Sequence, residues 1–522
     1  MDNSLDKQME TQRLIEAHFP VIEISVASVK EKRVKANHPS AIHLWPGRRP
    51  LVACRAGILS THLVAPRDPV HLQELVDSIS RSAPHPQCLG KMGLLSPRTD
   101  VCRFLDPFGG GGAFALEAAR AGFDVVTNDL NPVAYLIQRA TVEFPALLAR
   151  ETRSLPNSMR PGELWEHVDF WGRWVLAQAK TELPNLYSMK GALSPSYFWW
   201  SWQMDCPQCG LRFPLLKTTA ALKGAKSAMV IVLMHEERGN SCSVKYVKAD
   251  PKFKDCGTFD LKGAHCPRCK AITSREAVQS IGRRKELTRR LLGIIWRGAS
   301  GFQVSPPDTE AQHQAEQLNS AIQTCFQEIP FGLPKETITS DSDSMRVPIY
   351  GFTDYSQLFL PRQMLAIGTI VKQTRRALHL LNSHGYPPQW RKAIGVSLAM
   401  VVGRLVERNS QLCLWQPKKT CVSSVYVRYA MPFCADFVEA NILGDRSGSY
   451  GTQLWKVVQA MRALCASFAV RENKAGVQCL NGDVAQGFEG KFDLIAADPP
   501  YYDSLSYSNL SDYFYVWIRR TL

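Results

Sequence analysis

The feature that most constrains the fold is an alternation of strands and helices that begins near residue 101, stops near 150 and returns only near the carboxyl end. From Val101 the pattern predicts a strand, a glycine-rich turn, a helix and a second strand, which is the start of a βαβ unit with parallel strands. A predicted helix at 451–470 and predicted strands at Val477–Leu480 and Phe492–Ala497 resume the pattern. We therefore expect one doubly wound α/β sheet split by an insertion of about 300 residues, and an insertion of that length must contain domains of its own.

Changes of composition divide the chain into six predicted segments. They are an N-terminal helical and basic region at 1–80, the first part of the sheet at 100–150, a tryptophan-rich helical insertion at 151–205, a cysteine-containing segment at 206–270, a helical insertion at 271–450 suited to target recognition, and the second part of the sheet at 451–522. The segment Arg81–Thr99 is predicted to be a linker.

A basic helix is predicted at 275–300, within the fifth segment. Its cations are Arg283, Arg284, Lys285, Arg289, Arg290 and Arg297. A row of cations of this kind is suited to contacting phosphates, and it is equally typical of a solvated helix face. The tryptophans at 165–202 are more typical of a core than of a surface on which bases stack.

The glycine loop Asp106–Gly112 lies between a predicted strand and a predicted helix. Glycines such as Gly110 and Gly112 allow positive φ and let the backbone approach a ligand, and the helix start offers free N–H groups. The Asp106 carboxylate suits the cationic methionine part of S-adenosylmethionine better than a pyrophosphate, which it would repel. Asp129, after the second strand, can accept from both ribose hydroxyls, and Asp483 can meet the adenine amino group of the cofactor. The alternative for this segment is a dinucleotide site, because Gly110, Gly112 and Ala115 come close to that fingerprint.

A second motif, Asp498-Pro499-Pro500-Tyr501, follows the last predicted strand. The exocyclic amino group of a base is a weak nucleophile, because its lone pair is delocalised into the ring. The Asp498 carboxylate and the Pro499 carbonyl can draw its two N–H bonds out of the ring plane. Pro500 fixes the turn, and Tyr501 offers a face on which an extruded base can stack. The pair of motifs predicts a methyltransferase that acts directly on a base amino group and forms no covalent enzyme intermediate.

Two Cys-x-x-Cys pairs, Cys206 with Cys209 and Cys266 with Cys269, are separated by residues 210–265. Four thiolates in this arrangement suit a tetrahedral structural zinc ion of the kind held in a zinc ribbon, which leaves no open position for catalysis. Unligated buried cysteines and a redox pair are the alternatives. Cys242 and Cys256 lie between the pairs and are less suited to be ligands.

The net charge of +15 is consistent with a nucleic-acid partner, although charge alone does not establish one. No apolar run approaches the roughly 20 residues that span a bilayer, and the polar N-terminus lacks a signal-peptide core. We therefore expect a cytoplasmic protein with no membrane partner.

Four features of the sequence carry a family resemblance: the stretch RLIEAHFPVIEISVASVKEKRVKANHPSAIHLWPGRRPLVACRA, the run LDPFGGGG, the paired cysteines and the stretch DPPYYDSLSYSNLSDYFYVW. Together they resemble the adenine-specific DNA methylases that contain a zinc ribbon. These are large bacterial and archaeal proteins with an N-terminal domain of unknown function, often encoded among restriction or phage-defence genes. The resemblance implies a Rossmann-like fold, S-adenosylmethionine as donor and the N6 amino group of adenine in DNA as acceptor. It also implies that Asp106, Phe108, Gly110 and Asp129 contact the cofactor and that the Asp498–Tyr501 loop is catalytic.

The chain departs from this family in two places. Trp45-Pro46-Gly47-Arg48-Arg49-Pro50 replaces an expected Trp-Trp-Ala-Arg-Arg-Pro run, and the sequence ends at Leu522, soon after Tyr501. We therefore expect a sheet that is incomplete at its carboxyl end and that a second polypeptide could complete. Two alternatives remain open: an RNA or guanine amino-methyltransferase, and a truncated nucleic-acid-binding protein without activity.

Overall fold

The computed structural model describes residues 12–34, 37–80, 102–156, 158, 160–188, 194–225, 227–236, 239–299, 301–307, 318–339, 344–426, 430–469, 475–502 and 505–522. They divide into two compact units. The first combines Met1–Trp171, Leu378–Val401 and Trp455–Ser504, and the second combines Gly172–Ala377, Val402–Leu454 and Leu505–Leu522. The predicted linker Arg81–Thr99 lies outside the described residues.

The helices in the described ranges follow in chain order. They are α1 (Leu14–Ala17), α2 (Val21–Glu31), α3 (Leu51–His62), α4 (Pro69–Ser80), α5 (Ala113–Arg120), α6 (Pro132–Gln138), α7 (Phe144–Leu148), α8 (Leu164–Glu182), α9 (Arg275–Arg283), α10 (Asn319–Gln327), α11 (Pro361–Ser383), α12 (Pro388–Val406), α13 (Tyr450–Ala469) and α14 (Tyr507–Thr521). A π-helical turn, Arg139–Glu143, joins α6 to α7. No helix in these ranges has both the length and the apolar character needed to cross a bilayer.

The strands in the same ranges are mostly short. They are β1 (Arg103–Asp106), β2 (Asp124–Asn128), β3 (Arg153–Ser154), β4 (Pro161–Gly162), β5 (Tyr197–Asp205), β6 (Arg212–Pro214), β7 (Ala220–Lys223), β8 (Ala228–Met234), β9 (Ser243–Ala249), β10 (Gly263–His265), β11 (Ile272–Ser274), β12 (Thr288–Gly298), β13 (Gly301–Ser305), β14 (Trp415–Gln416), β15 (Cys421–Val422), β16 (Asp436–Ala440), β17 (Val477–Leu480) and β18 (Leu494–Ile495).

The first unit contains a parallel sheet with the strand order β17–β2–β1–β18. Leu105 of β1 is in register with Val126 on one side and with Ile495 on the other. All four predicted strands are therefore present, and the mixed α/β class is confirmed. The last strand is shorter than predicted and is not buried: β18 spans two residues, and Ile495 is 59% exposed.

The N-terminal region packs on the helix that follows the glycine loop. Helix α3 contacts α5, and the Arg55 guanidinium forms an ion pair with the Glu117 carboxylate (2.6 Å), with both side chains buried. Arg120 also pairs with Glu117 (2.8 Å), so the buried carboxylate has two cationic partners. Because a buried charge is tolerated only when it is paired, these contacts require α3 and α5 to keep their relative position.

The second unit contains an antiparallel sheet with the order β13–β12–β5–β16, with β6 also paired to β5. Trp199 and Trp200 lie buried on β5, and their indole N–H groups donate to Asp436 (3.3 Å) and Glu439 (3.0 Å). These tryptophans are core residues, as the sequence favoured. They belong to a strand, however, so the predicted helical insertion at 151–205 is helical only in part.

The predicted helix at 275–300 is wrong beyond its first third. Helix α9 ends at Arg283, and Thr288–Gly298 form β12, which pairs with β5 and β13. Residues 291–295 are buried on both faces of the sheet, and an apolar run of that length does not distinguish a buried strand from a buried helix. Arg289 and Arg290 therefore lie on a strand, where Arg290 donates to the Cys242 carbonyl (2.5 Å) and Arg289 lies over the Trp202 ring.

The two units differ from the six predicted segments. Strands from 151–205 and 271–450 pair in one sheet, so these segments are not separate domains. Helix α14 belongs to the second unit and not to the second part of the parallel sheet. There the buried Arg520 pairs with Glu336 (2.7 Å) and donates to the carbonyl groups of Gly332 (2.7 Å) and Leu333 (2.8 Å). Pairings between such distant segments leave no signal in sequence spacing.

Candidate active site

Four carboxylates follow the carboxyl ends of the four parallel strands. Asp106 ends β1, Asp129 follows β2, Asp483 follows β17, and Asp498 follows β18. Because the strands are parallel, these ends meet at one edge of the sheet, which is where α/β sheets bind ligands. The buried Asn128 amide connects two of the loops at this edge, because it donates to the Pro107 carbonyl (3.3 Å) and to the Gly482 carbonyl (3.0 Å).

The glycine loop turns sharply after β1. Gly110 and Gly112 have φ values of 48° and 76°, in the left-handed region that favours glycine. The backbone N–H of Gly109 donates to the Asn128 carbonyl (2.8 Å), and that of Gly110 donates to the Asp129 carboxylate (2.8 Å). The Gln138 amide donates to the Gly110 carbonyl (3.2 Å). The loop is therefore held from both sides by β2 and α6.

Asp106 is almost completely buried, at 1% exposure. Its Oδ1 accepts from the Phe108 N–H (3.3 Å), whereas its Oδ2 has no hydrogen-bond partner among the described residues. Burial raises the pKa of Asp106 to about 8, and the nearby Asp129 and Asp498 carboxylates also raise it. A buried carboxylate with an unsatisfied oxygen fits a cationic or amino-bearing ligand group, which would supply the missing partner.

Asp129 and Asp483 differ in their surroundings. Burial raises the pKa of Asp129, whose two oxygens accept from the N–H groups of Gly110 and Asn131, each at 2.8 Å. Asp129 thus supports the glycine loop, a role that the sequence did not suggest. Asp483 is exposed and caps the short 3₁₀ turn Val484–Gln486, with Oδ1 accepting from the Ala485 N–H (2.9 Å). Both carboxylates retain lone pairs for a ligand.

In the loop after β18, the Tyr501 hydroxyl donates to Asp498 Oδ1 (3.0 Å). Arg49 donates to the same carboxylate from Nε to Oδ2 (2.5 Å) and from Nη2 to Oδ1 (2.8 Å), and Nη2 also donates to the Tyr501 hydroxyl (2.7 Å). These hydrogen bonds from Arg49 hold the pKa of Asp498 below its ordinary value. Pro499, Pro500 and Tyr501 are exposed, so an incoming ligand can reach them.

The four predicted metal ligands form one cluster in the second unit. The sulfur atoms of Cys206, Cys209, Cys266 and Cys269 all lie within 4.8 Å of one another, and no other such group of three or more side chains occurs in the described ranges. Two of the cross-pair sulfur distances, Cys206–Cys269 and Cys209–Cys266, are 3.7 and 3.6 Å. Tetrahedral zinc with Zn–S bonds of about 2.3 Å requires sulfur separations of about 3.8 Å, so the donor set and its spacing fit zinc.

The two cysteine turns share one backbone pattern. Cys206 N–H donates to the Leu211 carbonyl and Gly210 N–H to the Cys206 carbonyl, both at 2.9 Å. In the second turn, Cys266 N–H donates to the Ala271 carbonyl (2.9 Å) and Lys270 N–H to the Cys266 carbonyl (3.1 Å). Gly210 and Lys270 both have positive φ, at 70° and 64°. Two equivalent turns thus present their thiols to each other.

Comparison with known families yields two matches. Residues 18–83 match a family model described as a protein of unknown function, DUF1156, and residues 87–163 match the D12 class N6 adenine-specific DNA methyltransferase. The second match spans the glycine loop and Asp129. The chain therefore carries a region of the D12 class of N6 adenine-specific DNA methyltransferases, preceded by an N-terminal region of unknown function. No curated protein and no solved structure matches it.

The predicted activity, methyl transfer to the N6 amino group of adenine in DNA, is confirmed by the second match. That match ends before the Asp498–Tyr501 loop, so the roles of individual residues rest on geometry. The methyltransferase family implies S-adenosylmethionine as the cofactor, and DNA is the substrate.

Arg49 is a residue of this methylase site that the sequence did not assign, whereas Trp45 was expected from its place upstream of the glycine loop to cover the methionine end of the cofactor. Arg49 bonds the Asp498–Tyr501 loop, and the Trp45 indole lies against the glycine loop, since a Cβ atom added to Gly110 would lie 2.9 Å from Trp45 Nε1. The basic pair before Pro50 was the available signal. Its partner lies 449 positions further along the chain, however, so spacing could not reveal the contact.

Gly110→Ala is expected to weaken cofactor binding by about 10-fold or more and to destabilise the first unit by about 1–2 kcal/mol. The added methyl group would meet the Trp45 indole and would require positive φ from a residue that rarely adopts it. Isothermal titration with S-adenosylhomocysteine measures the first effect and thermal unfolding the second. The control is Gly332→Ala, which also has positive φ (58°) but has open space around the added atom. Equal cofactor affinity in the two variants would contradict the prediction.

Proposed function

We propose that the glycine loop and the Asp498–Tyr501 loop form one active site in which this DNA methylase holds its cofactor and its target adenine. The observation that carries the proposal is the position of Asp106 and Asp498 after the adjacent strands β1 and β18. The Asp106 carboxylate is buried with an unsatisfied oxygen and suits a cationic ligand. The Asp498 carboxylate is ionised and partly exposed, and it suits an amino group.

The strand order supports a Rossmann-like sheet. In chain order the strands are β1, β2, β17 and β18, and their spatial order is third–second–first–fourth. This is the first part of the doubly wound order, whose ligand lies where the strand order reverses. In this sheet the reversal falls between β1 and β18, next to Asp106 and Asp498. We also propose that further strands from a second polypeptide complete the sheet beside the exposed β18.

For the cofactor, we assign Asp106 to the methionine end and Asp129 to the ribose hydroxyls. Phe108, Gly110 and Gly112 would bring the loop backbone close to the ligand, and Asp483 would accept from the adenine amino group. When bound, S-adenosylmethionine supplies an electrophilic methyl group. Asp106 Oδ2 can accept from the amino end of a ligand because the described residues leave it without a donor.

For the target base, Asp498 and the Pro499 carbonyl accept from the two hydrogens of the N6 amino group. This removes the amino nitrogen from conjugation with the ring and leaves its lone pair free to attack. Tyr501, which is 55% exposed, provides a ring face for the extruded base. Pro500 limits the motion of the turn, so that the two acceptors keep their spacing.

For the cysteine cluster we propose structural zinc, held by Cys206, Cys209, Cys266 and Cys269 as in a zinc ribbon. Four sulfur ligands leave no open coordination position, so the metal would stabilise the second unit and take no part in methyl transfer. A role in restriction-modification or phage defence, in the cytoplasm, rests only on the family resemblance.

The test is methyl transfer with labelled S-adenosylmethionine, followed by identification of the methylated nucleoside. Genomic DNA and total RNA serve as parallel acceptors, and sequencing of the treated DNA finds the target. N6-methyladenine in DNA is the expected product. Methylation of RNA alone, or of guanine, would contradict the substrate, and no transfer to any acceptor would contradict an active site complete in this chain.

Cofactor affinity is expected to rise with pH from about 6 to about 8, by up to roughly 10-fold per pH unit. Asp106 is largely protonated below its raised pKa of about 8, and a cationic ligand favours the ionised carboxylate, so binding must release its proton. Titration calorimetry in buffers of different ionisation enthalpy measures this release. Because the amino group of the ligand also titrates near pH 8, Asp106→Asn is the reference. An unchanged pH dependence in Asp106→Asn would exclude Asp106 as the cationic partner.

A further inference from the structure

Arg49 bonds both base-contacting side chains of the proposed catalytic loop. Its guanidinium donates to both oxygens of Asp498, through Nε (2.5 Å) and Nη2 (2.8 Å), and Nη2 also donates to the Tyr501 hydroxyl (2.7 Å). The guanidinium carbon also lies 5.5 Å from the centre of the Tyr501 ring. A planar fork of this kind fixes the orientation of a carboxylate, which a single point charge cannot do.

The backbone of Arg49 is itself anchored, because it immediately precedes the start of α3. Pro50 is the N-cap residue, with φ of −61°, and the buried Glu31 carboxylate accepts from the N–H groups of Leu51 (2.8 Å) and Val52 (3.1 Å). These bonds satisfy the first free N–H groups of α3. The Arg55–Glu117 pair further fixes α3 to α5, the helix that follows the glycine loop. Arg49 therefore extends from a rigid support.

The hydrogen bonds of Asp498 determine which lone pair remains available. Oδ1 accepts from Arg49 Nη2 and from the Tyr501 hydroxyl. These two hydrogen bonds use both lone pairs of Oδ1. Among the described residues, Oδ2 accepts from Arg49 Nε alone. One lone pair on Oδ2 thus remains to accept an N–H from a base, and its direction is set by the position of Arg49.

Arg49 is the cation that favours the ionised form of Asp498. The Asp106 carboxylate and the Cys54 thiol lie near enough to interact with Asp498 electrostatically, and Tyr501 is on the same loop. Without Arg49, Asp498 would have no cationic partner among the described residues.

We propose that Arg49 is a positioning residue for methyl transfer, which aims Asp498 and Tyr501 at the target adenine and gives the N-terminal domain of unknown function a part in the active site. This inference rests on the proposed catalytic role of the Asp498–Tyr501 loop. It makes the segment before α3 part of the base-binding pocket, so this domain contributes to the active site as well as packing beside the sheet.

The first test compares kinetic constants of Arg49→Gln and Arg49→Lys with those of Arg33→Gln, which removes the same charge from an exposed arginine of the same domain. We expect kcat to fall on the order of 10- to 100-fold in Arg49→Gln, with the KM for S-adenosylmethionine unchanged, because misdirected acceptors affect the reacting geometry. Arg49→Lys should recover part of the loss, since it retains a charge but not the fork. Tyr501→Phe keeps the ring but removes the hydroxyl. Its effect on kcat and that of Arg49→Gln should not add in the double variant.

The second test needs no turnover. Fluorescence anisotropy measures the affinity of the protein for two duplexes. In one, a single adenine lies opposite an abasic position; in the other, thymine occupies that abasic position and pairs with the adenine. Wild type and Arg33→Gln should prefer the unpaired adenine, and Arg49→Gln should lose that preference. A stronger preference or a higher kcat in Arg49→Gln would overturn the inference, because Arg49 would then compete with the base for Asp498.

The catalytic role of the Asp498–Tyr501 loop and the positioning role of Arg49 can be contradicted separately. If Asp498→Ala retains methyl transfer, or wild type has no adenine preference, the proposed catalytic loop is wrong. If Asp498→Ala is inactive while Arg49→Gln matches Arg33→Gln in both tests, only the positioning role of Arg49 is wrong.

Discussion

Asp498→Ala is expected to lower kcat for adenine methylation by about 1,000-fold or more. The substitution removes the carboxylate that accepts from the amino group of the base, and it also removes the acceptor of the two Arg49 donors and of the Tyr501 hydroxyl. The affinity for S-adenosylhomocysteine should change little, because the cofactor contacts assigned to the glycine loop remain. Single-turnover rates with saturating cofactor and DNA isolate the chemical step.

Asp498→Asn separates the charge of this side chain from its ability to accept a hydrogen bond. The amide oxygen can still accept an N–H from the base, so this variant should retain far more activity than Asp498→Ala. Glu489→Ala, which removes an exposed carboxylate from the loop before β18, is the control and should match wild type. If Asp498→Ala and Glu489→Ala have equal rates, the acceptor role assigned to Asp498 is wrong.

The sheet edge was predictable because its signals are local. Each motif consists of a short apolar strand and the turn that follows it. The turn contains an aspartate with glycines after β1 and an aspartate with two prolines after β18. Parallel pairing then brings Asp106, Asp129, Asp483 and Asp498 to the same edge. The cysteine cluster was predictable for the same reason, since each Cys-x-x-Cys pair forms a turn in which both thiols face one point.

The features that could not be predicted depend on contacts between distant segments. The stretch Thr288–Gly298 continues an apparent helix in sequence, but pairing with β5 and β13 makes it a strand. In the sequence, nothing distinguishes Arg49 from other exposed arginines, because its contact with Asp498 exists only in the folded chain. The exposure of Ile495 is also a consequence of position, because β18 is the outer strand of the sheet in the described residues.

Loss of the metal proposed for the cysteine cluster should strongly destabilise the second unit. Cys266→Ser is expected to reduce bound zinc from about one equivalent per chain to almost none and to lower the Tm of that unit by about 10 °C. The cluster joins the turn after β5 to the turn between β10 and β11, and α9 follows β11 directly. Without metal, only weaker contacts among the described residues would hold the four sulfur atoms within 4.8 Å of one another, namely the thiol hydrogen bonds and the donation from Arg268 to the Cys209 carbonyl.

Cys256→Ser provides the matched control, because Cys256 is exposed and is not part of the cluster. Its zinc content and Tm should equal those of wild type. Treatment of wild type with a chelator should reproduce the Cys266→Ser unfolding curve, and added Zn²⁺ should restore wild type but not the variant. Cofactor affinity should be unaffected in all three proteins, since a four-sulfur site has no open position and the assigned cofactor residues lie in the first unit. Purified wild type with less than about one equivalent of zinc and an unfolding curve insensitive to chelator would show that the four thiols hold no structural metal.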